Sequence, residues 1–130
     1  MMRLIAASMA DLMPRGADLP GCDDCNPRAF LLRLRRESDP LFFAGLVLGT
    51  LFYQLAPLLT LWIPLPAVLL SRELRERHAQ RLAAHPSYLV RQAVTLVRLS
   101  AGLCWGMDPA VRARFGLAAY GPDPGTFRTS

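Results

Sequence analysis

The sequence predicts an all-α fold: a small helical protein with a proline-broken apolar segment that inserts in a membrane or is buried by a partner, and with extended N- and C-terminal arms. Three observations predict it. Capping pairs and helix-period apolar positions recur along the chain, and no stretch alternates convincingly as a strand. Positions 40–71 hold 32 consecutive residues without a charge. Hydrophobic residues make up 52% of the chain and charged residues 19%, below the roughly one quarter of ordinary soluble domains. That balance excludes intrinsic disorder, which needs low hydrophobicity and high charge. With 130 residues the chain has room for one domain and not for a dinucleotide-binding unit plus a substrate domain.

Residues 1–27 are punctuated by Pro14, Gly16, Pro20, Gly21 and Pro27, and read as an extended N-terminal arm with one short helix near its start. The apolar run after Arg3 stops at Asp11 after seven residues, the lower limit for a signal-peptide core, and no twin-arginine pair precedes it. Residues 28–70 form the second part: an amphipathic helix, then the apolar segment. In the helix, Phe30, Leu31 and Leu34 share one face and Arg28, Arg35 and Arg36 the other. Asp39-Pro40 restarts the helix, with Asp as the cap and Pro in the first turn.

Leu41–Ala56 then gives 16 residues before Pro57, about 24 Å of helix, against the roughly 20 residues that one crossing needs. Pro57, Pro64 and Pro66 break the remainder of the apolar run. Leu41, Phe42, Phe43, Leu46, Leu51, Phe52, Leu58 and Trp62 are the expected membrane or interface residues. Two geometries fit: one tilted, kinked crossing helix, or a helix–turn–helix that dips into one leaflet and returns. Residues 28–39 carry four Arg against Glu37 and Asp39, and residues 72–81 carry four Arg against Glu73 and Glu76. Equal basic flanks choose no orientation for a crossing helix and favour a same-side or monotopic insertion.

Residues 71–116 form a helical, partner-binding region. Ser71 caps a charged helix with Glu73–Arg77 one turn apart. After Pro86, residues 88–105 read as one apolar helix with a stripe of Arg91, Thr95, Arg98 and Gly102, ended by Gly106. Two arginines inside it make crossing costly, so packing on a protein surface is expected. Asp108-Pro109 caps a last short helix that Gly116 stops. Residues 117–130 are a turn-rich tail with Tyr120 and Phe127 as aromatic anchors.

All 15 cationic side chains are arginine and the formal net charge is +5. The arginines are interspersed with acids and not with aromatics, so nucleic acid is not an expected partner. Cys22-Asp23-Asp24-Cys25 is a lone C-x-x-C, short of the four ligands of structural zinc, and reads as an exposed turn. Cys104 reads as a packed apolar residue. No Gly-rich phosphate loop, zinc-protease motif or raised-pKa carboxylate in an apolar setting is evident, so no catalytic, cofactor-binding or metal residues are assigned to this chain.

The order of the C-terminal half, on Arg91, Leu96, Leu99, Trp105, Asp108-Pro109-Ala110-Val111, Phe115-Gly116 and Gly121-Pro122, resembles the small third subunit of gluconate 2-dehydrogenase-like complexes. A similar helical element accompanies membrane-associated glucose–methanol–choline (GMC) flavin oxidoreductases. The resemblance covers residues 71–125. Cys104-Trp105-Gly106-Met107 stands where the family often has aromatics, and the long apolar segment and the missing twin-arginine leader depart from it, favouring direct membrane attachment over export.

The resemblance implies a non-catalytic accessory subunit at a bacterial inner membrane, in a hetero-oligomer with a larger, FAD-bearing chain. It implies no flavin on this chain, and contacts to the partner through Arg91, Arg98, Trp105, Asp108, Phe115, Tyr120 and Phe127. An assembly factor or subunit of another membrane complex, and a redox protein using Cys22 and Cys25, are the competing classes.

Overall fold

A computed structural model describes residues 1–119 and 121. Among them there is helix and no strand, as expected for an all-α chain. The expected anchors Tyr120 and Phe127 lie outside the described residues.

The short helix expected near the start is Met2–Leu12, eleven residues, α1. The departure is that residues 1–27 do not form an arm outside the core, which includes this helix. Ile5 and Met9 are fully buried on it, and Met2 and Leu12 flank them at helical spacing. This helix packs against the third and seventh helices and is the centre of the molecule. Residues 13–21 then fold back tightly. The Cys22 amide donates to the Met13 carbonyl at 3.0 Å. Arg15 and Asp24 form an ion pair across the loop. A Cβ on Gly21 would lie 2.6 Å from the Arg15 nitrogen, so only glycine permits this crossing.

Cys22–Cys25 is a single 3-10 turn. Asn26 follows with a left-handed backbone, φ 51°, and caps helix α2, Pro27–Glu37. Leu31 is buried on α2 and its arginines face out. Asp39 caps α3, Pro40–Leu55, accepting from the Leu41 amide at 2.7 Å. Pro57 has no amide to donate, so the helix breaks at Ala56 and restarts as the single turn α4, Pro57–Thr60. Residues 61–66 wind through Trp62 and two prolines to a 3-10 turn at Ala67–Leu69. Ser71 caps α5, Arg72–Ala83.

The helix expected over 88–105 is two: α6, Tyr88–Ala93, and α7, Thr95–Met107, separated by Val94 at φ −103°, ψ 4°. No proline or glycine causes the break. It falls where α3 crosses: a Cβ on Gly49 would sit 2.8 Å from the Ala93 carbonyl oxygen. The helix ends one residue beyond Gly106, because Asp108 precedes a proline and is held out of the helical region. Asp108 caps α8, Pro109–Arg114, and Gly116 closes it at φ +67°.

Two buried clusters hold these helices. The larger joins Ile5, Met9, Leu31, Leu46, Val97 and Ala101 with the three cysteines and Val111. The smaller joins Tyr53, Ala56, Ala67, Leu82 and Val94. Residues 1–27, 28–70 and 71–116 all contribute to the larger one, so these segments share a core. No helix of the described residues is long and apolar enough to cross a membrane.

The α3–α6/α7 crossing generates a paired prediction. Gly49→Ala should destabilise the fold by about 1–3 kcal/mol, because the clash is with backbone. Gly45→Ala should cost clearly less, since its Cβ would meet only the movable Leu96 Cδ1. Thermal or urea unfolding of the two variants side by side measures the difference, and equal costs would contradict this account of the crossing.

Candidate functional site

Helix α3 and its continuation place polar side chains inward and hydrocarbon outward. The segment carries four hydrogen-bonding side chains besides Trp62, and all four are buried: Thr50, Tyr53, Gln54 and Thr60. Each finds a partner. Thr50 donates to the Leu46 carbonyl at 2.9 Å. Tyr53 donates to the Asp11 carboxylate at 3.1 Å. Gln54 donates to Ser8 Oγ at 2.8 Å and accepts from the Val68 amide at 2.8 Å. The Ser8 hydroxyl donates in turn to the Leu4 carbonyl at 3.0 Å. These bonds tie α3 to α1 and to the turn after α4. They are made where water is scarce and an unmade bond costs most.

His78 on α5 closes the network. Its Nε2 lies 3.0 Å from the Tyr53 carbonyl, which can only accept, so the neutral ring carries its proton on Nε2. Nδ1 then accepts from Thr60 Oγ1 at 2.6 Å. Burial pushes the His78 pKa below its ordinary value, against the pull of the Tyr53 carbonyl. Arg81, one turn further along α5, donates to the Thr60 carbonyl at 2.7 Å and finishes the end of α4.

With its polar groups turned in, the segment shows leucine to the outside. Leu41 is 81% exposed, Leu48 67%, Leu55 69% and Trp62 84%. Leu51, Leu58, Leu59, Leu65 and Leu69 are exposed between and beyond them. Trp62 sits at φ 58°, a left-handed conformation that costs a residue with a Cβ about 1–2 kcal/mol. The expected interface residues therefore divide. Leu41, Leu51, Leu58 and Trp62 are on the outer face. Leu46 is fully buried and belongs to the core, and the half-buried Phe43 and Phe52 pack against the two buried clusters. Phe42 is half-buried.

The C-terminal candidates divide too. Trp105 donates to the Pro20 carbonyl at 2.8 Å and meets Phe115 edge-on, with ring centroids 5.8 Å apart. Asp108 caps α8 through the Ala110 and Val111 amides at 3.0 and 3.2 Å. Arg91 donates to the Pro86 carbonyl at 3.1 Å and stands over the Tyr88 ring. These three serve the fold of this chain. Arg98 and Phe115 are exposed, as are Leu99 and Leu103 on the same helix as Arg98.

Two readings of chemistry need correction. Cys22-Asp23-Asp24-Cys25 is a turn with Asp23 and Asp24 exposed, but its cysteines are not: Cys22, Cys25 and Cys104 are free, buried thiols of one core cluster. The Cys104 thiol reaches the Cys25 carbonyl at 3.5 Å. A hydrogen bond with Cys104, and then burial, push Cys22 far above the ordinary thiol range. Burial, with Asp108 nearby, pushes Cys25 up to about 12. Protonated thiols of this kind are poor nucleophiles. No group of three or more His, Cys, Asp or Glu among the described residues is arranged to hold a metal ion.

Asp11 is the second correction, because it is a carboxylate whose pKa burial raises, outweighing Arg75 and the Tyr53 hydroxyl, which lower it. Arg75 Nη1 is 3.8 Å from its carboxylate, at the wall of a cleft of about 490 Å³ shared with Arg15, Asp24, Arg72 and Glu76. The sequence could not show this, since Tyr53 and Arg75 are far from Asp11 in the chain. The helical spacing of Met2, Ile5, Met9 and Leu12 was the legible signal that Asp11 belongs to a packed helix.

No family model, curated protein or solved structure matches this chain.

The His78 network generates a pH prediction. The folded state resists protonation of His78, whereas the unfolded chain takes up the proton near 6.5. The His78 contribution is therefore complete above that pH and is lost as pH falls below it. Tm measured from about pH 7 to about pH 5.5 should decline, and His78→Gln, although less stable at neutral pH, should show a shallower decline. An unchanged slope in the variant would assign the decline to other groups.

Proposed function

We propose that this chain is a non-catalytic accessory subunit that stabilises, and holds at a membrane, a separate FAD-dependent oxidoreductase subunit of the GMC type. One observation carries the attachment half of this reading: residues 41–69 expose a series of leucines with Trp62 among them. Monomeric soluble proteins rarely leave a contiguous apolar patch of this kind bare. The inward hydrogen bonds of Tyr53, Gln54 and Thr60 keep those leucines outside, so the chain cannot hide them by rolling α3 without breaking the network.

The flavoprotein half rests on the resemblance of residues 71–125 to the small subunit of gluconate 2-dehydrogenase-like complexes. In that arrangement the catalytic chain carries FAD and oxidises an alcohol or sugar-like substrate, passing electrons to a membrane acceptor. This chain contributes docking and anchoring. Arg98 and Phe115 are the partner contacts best supported, because Arg98 is exposed and Phe115, although it meets the Trp105 ring edge-on, is 56% exposed, while Trp105, Asp108 and Arg91 are engaged within the chain. An arginine and an aromatic are the residue types that most often dominate binding energy at interfaces.

Affinity purification of the full chain from membranes, read for a larger co-purifying protein and for FAD absorbance, tests the reading. A yellow complex is the expected result. Arg98→Glu combined with Phe115→Ala should lower recovery of the flavoprotein at least about tenfold while leaving helix content unchanged. Partners recovered without flavin, or no partner at all, would overturn the oxidoreductase assignment.

A further inference from the structure

We infer that residues 41–69 lie flat in one leaflet of an anionic phospholipid bilayer, with leucines among the acyl chains and Trp62 and the flanking arginines at the headgroups. The inference rests on the membrane half of the proposed function and specifies its ligand, depth and orientation. It starts from the sidedness of the segment. Every polar side chain between positions 41 and 69 except the Trp62 indole is turned inward and bonded within the protein. A protein–protein interface carries about one hydrogen bond per 100–200 Å², together with a polar rim. The outer face here offers hydrocarbon and one indole N–H, which suits acyl chains better than another protein's surface.

The geometry then limits the depth. Helix α3 has 16 residues, about 24 Å, against a hydrocarbon core of roughly 30 Å. Its inner side is fixed to α1 through Tyr53–Asp11 and Gln54–Ser8. Standing α3 upright in the bilayer would carry Asp11 and the adjoining Arg75 to hydrocarbon depth, where charged groups are expensive. Lying flat immerses only the leucine face. Beyond the break at Pro57, α4 adds the exposed Leu58 and Leu59 to the apolar residues of the segment.

Charge selects the lipid. The helix before the segment carries Arg28, Arg33, Arg35 and Arg36 against Glu37, and the helix after it carries Arg72, Arg75, Arg77 and Arg81 against Glu73 and Glu76. Arg81 is fixed beside the end of the segment by its bond to the Thr60 carbonyl, two residues from Trp62. Guanidinium groups match lipid phosphates in geometry, and a tryptophan with one apolar and one polar side belongs at the same level. An apolar face of leucine and tryptophan opposed to arginine is the composition of an interfacial anchor.

The test adds the full-length chain to vesicles of phosphatidylglycerol mixed with phosphatidylcholine, and to vesicles of phosphatidylcholine alone. Trp62 emission is read as the difference between wild type and Trp62→Phe, with Trp105 left in place. Lipids brominated near the top of the acyl chain should quench Trp62 more than lipids brominated near its end. Binding should be stronger to the anionic vesicles and should weaken with salt.

Leu55→Glu with Leu58→Glu changes only exposed positions, and should lower vesicle partitioning at least about tenfold with unchanged circular dichroism. Stronger quenching from the chain end, unaltered binding of the double variant, or no binding by the folded wild type would overturn the inference. Vesicle binding without a flavoprotein partner would leave it standing while the oxidoreductase reading fell. A flavoprotein complex whose partner protects the leucine face, with no vesicle binding, would do the reverse.

Discussion

The fold depends on the inward hydrogen bonding of helix α3. Tyr53 to Asp11, Gln54 to Ser8 and to the Val68 amide, and Thr60 to His78 join four segments that are distant in sequence. An unpaired polar group in this position costs about 1–3 kcal/mol, so the helix has one acceptable rotation about its axis. That rotation buries Leu46 and exposes Leu48, Leu51 and Leu55. The outer apolar face is thus a consequence of how the inner polar face is satisfied. It is not a leftover of an undersized core.

The rest of the molecule braces that arrangement. Helix α1 supplies Ser8 and Asp11 to the network from one side and Ile5 and Met9 to the core from another, so it is both a polar and an apolar partner of α3. The tight loop after α1 brings Cys22 and Cys25 under α7, where Cys104 meets them. The two cysteines of the C-x-x-C become packed thiols there beside Cys104, which already read as packed in the sequence. The hydrogen bond with Cys104 and then burial raise Cys22, and burial raises Cys25, which favours the protonated thiol in both.

Much of the local structure was legible from short-range rules. Asp39-Pro40, Ser71 and Asp108-Pro109 are caps in the structure because each signal acts within one helical turn. The break at Pro57 comes from a missing amide. The split of residues 88–105 at Val94 was not legible, since it falls where another helix crosses and not at a breaker residue. The same holds for Asp11: burial in the folded chain raises its pKa, against Arg75 and Tyr53, which lie 64 and 42 positions away in sequence. Among the candidate contacts, Arg98 and Phe115 remain at the surface while Trp105 and Arg91 are spent inside, because hydrogen-bond partners such as the Pro20 and Pro86 carbonyls have no signature in the sequence.

Composition and pattern by themselves determined that the chain is helical, that its cations are all arginine, and that positions 40–71 are free of charge. These are properties of residue types and spacings. Tertiary structure decided which side of that segment faces out, that the N-terminal residues form the central helix, and that the three thiols are buried together. Those outcomes depend on which distant donor meets which distant acceptor, and the free energy of such a meeting is set by burial that only the folded chain creates.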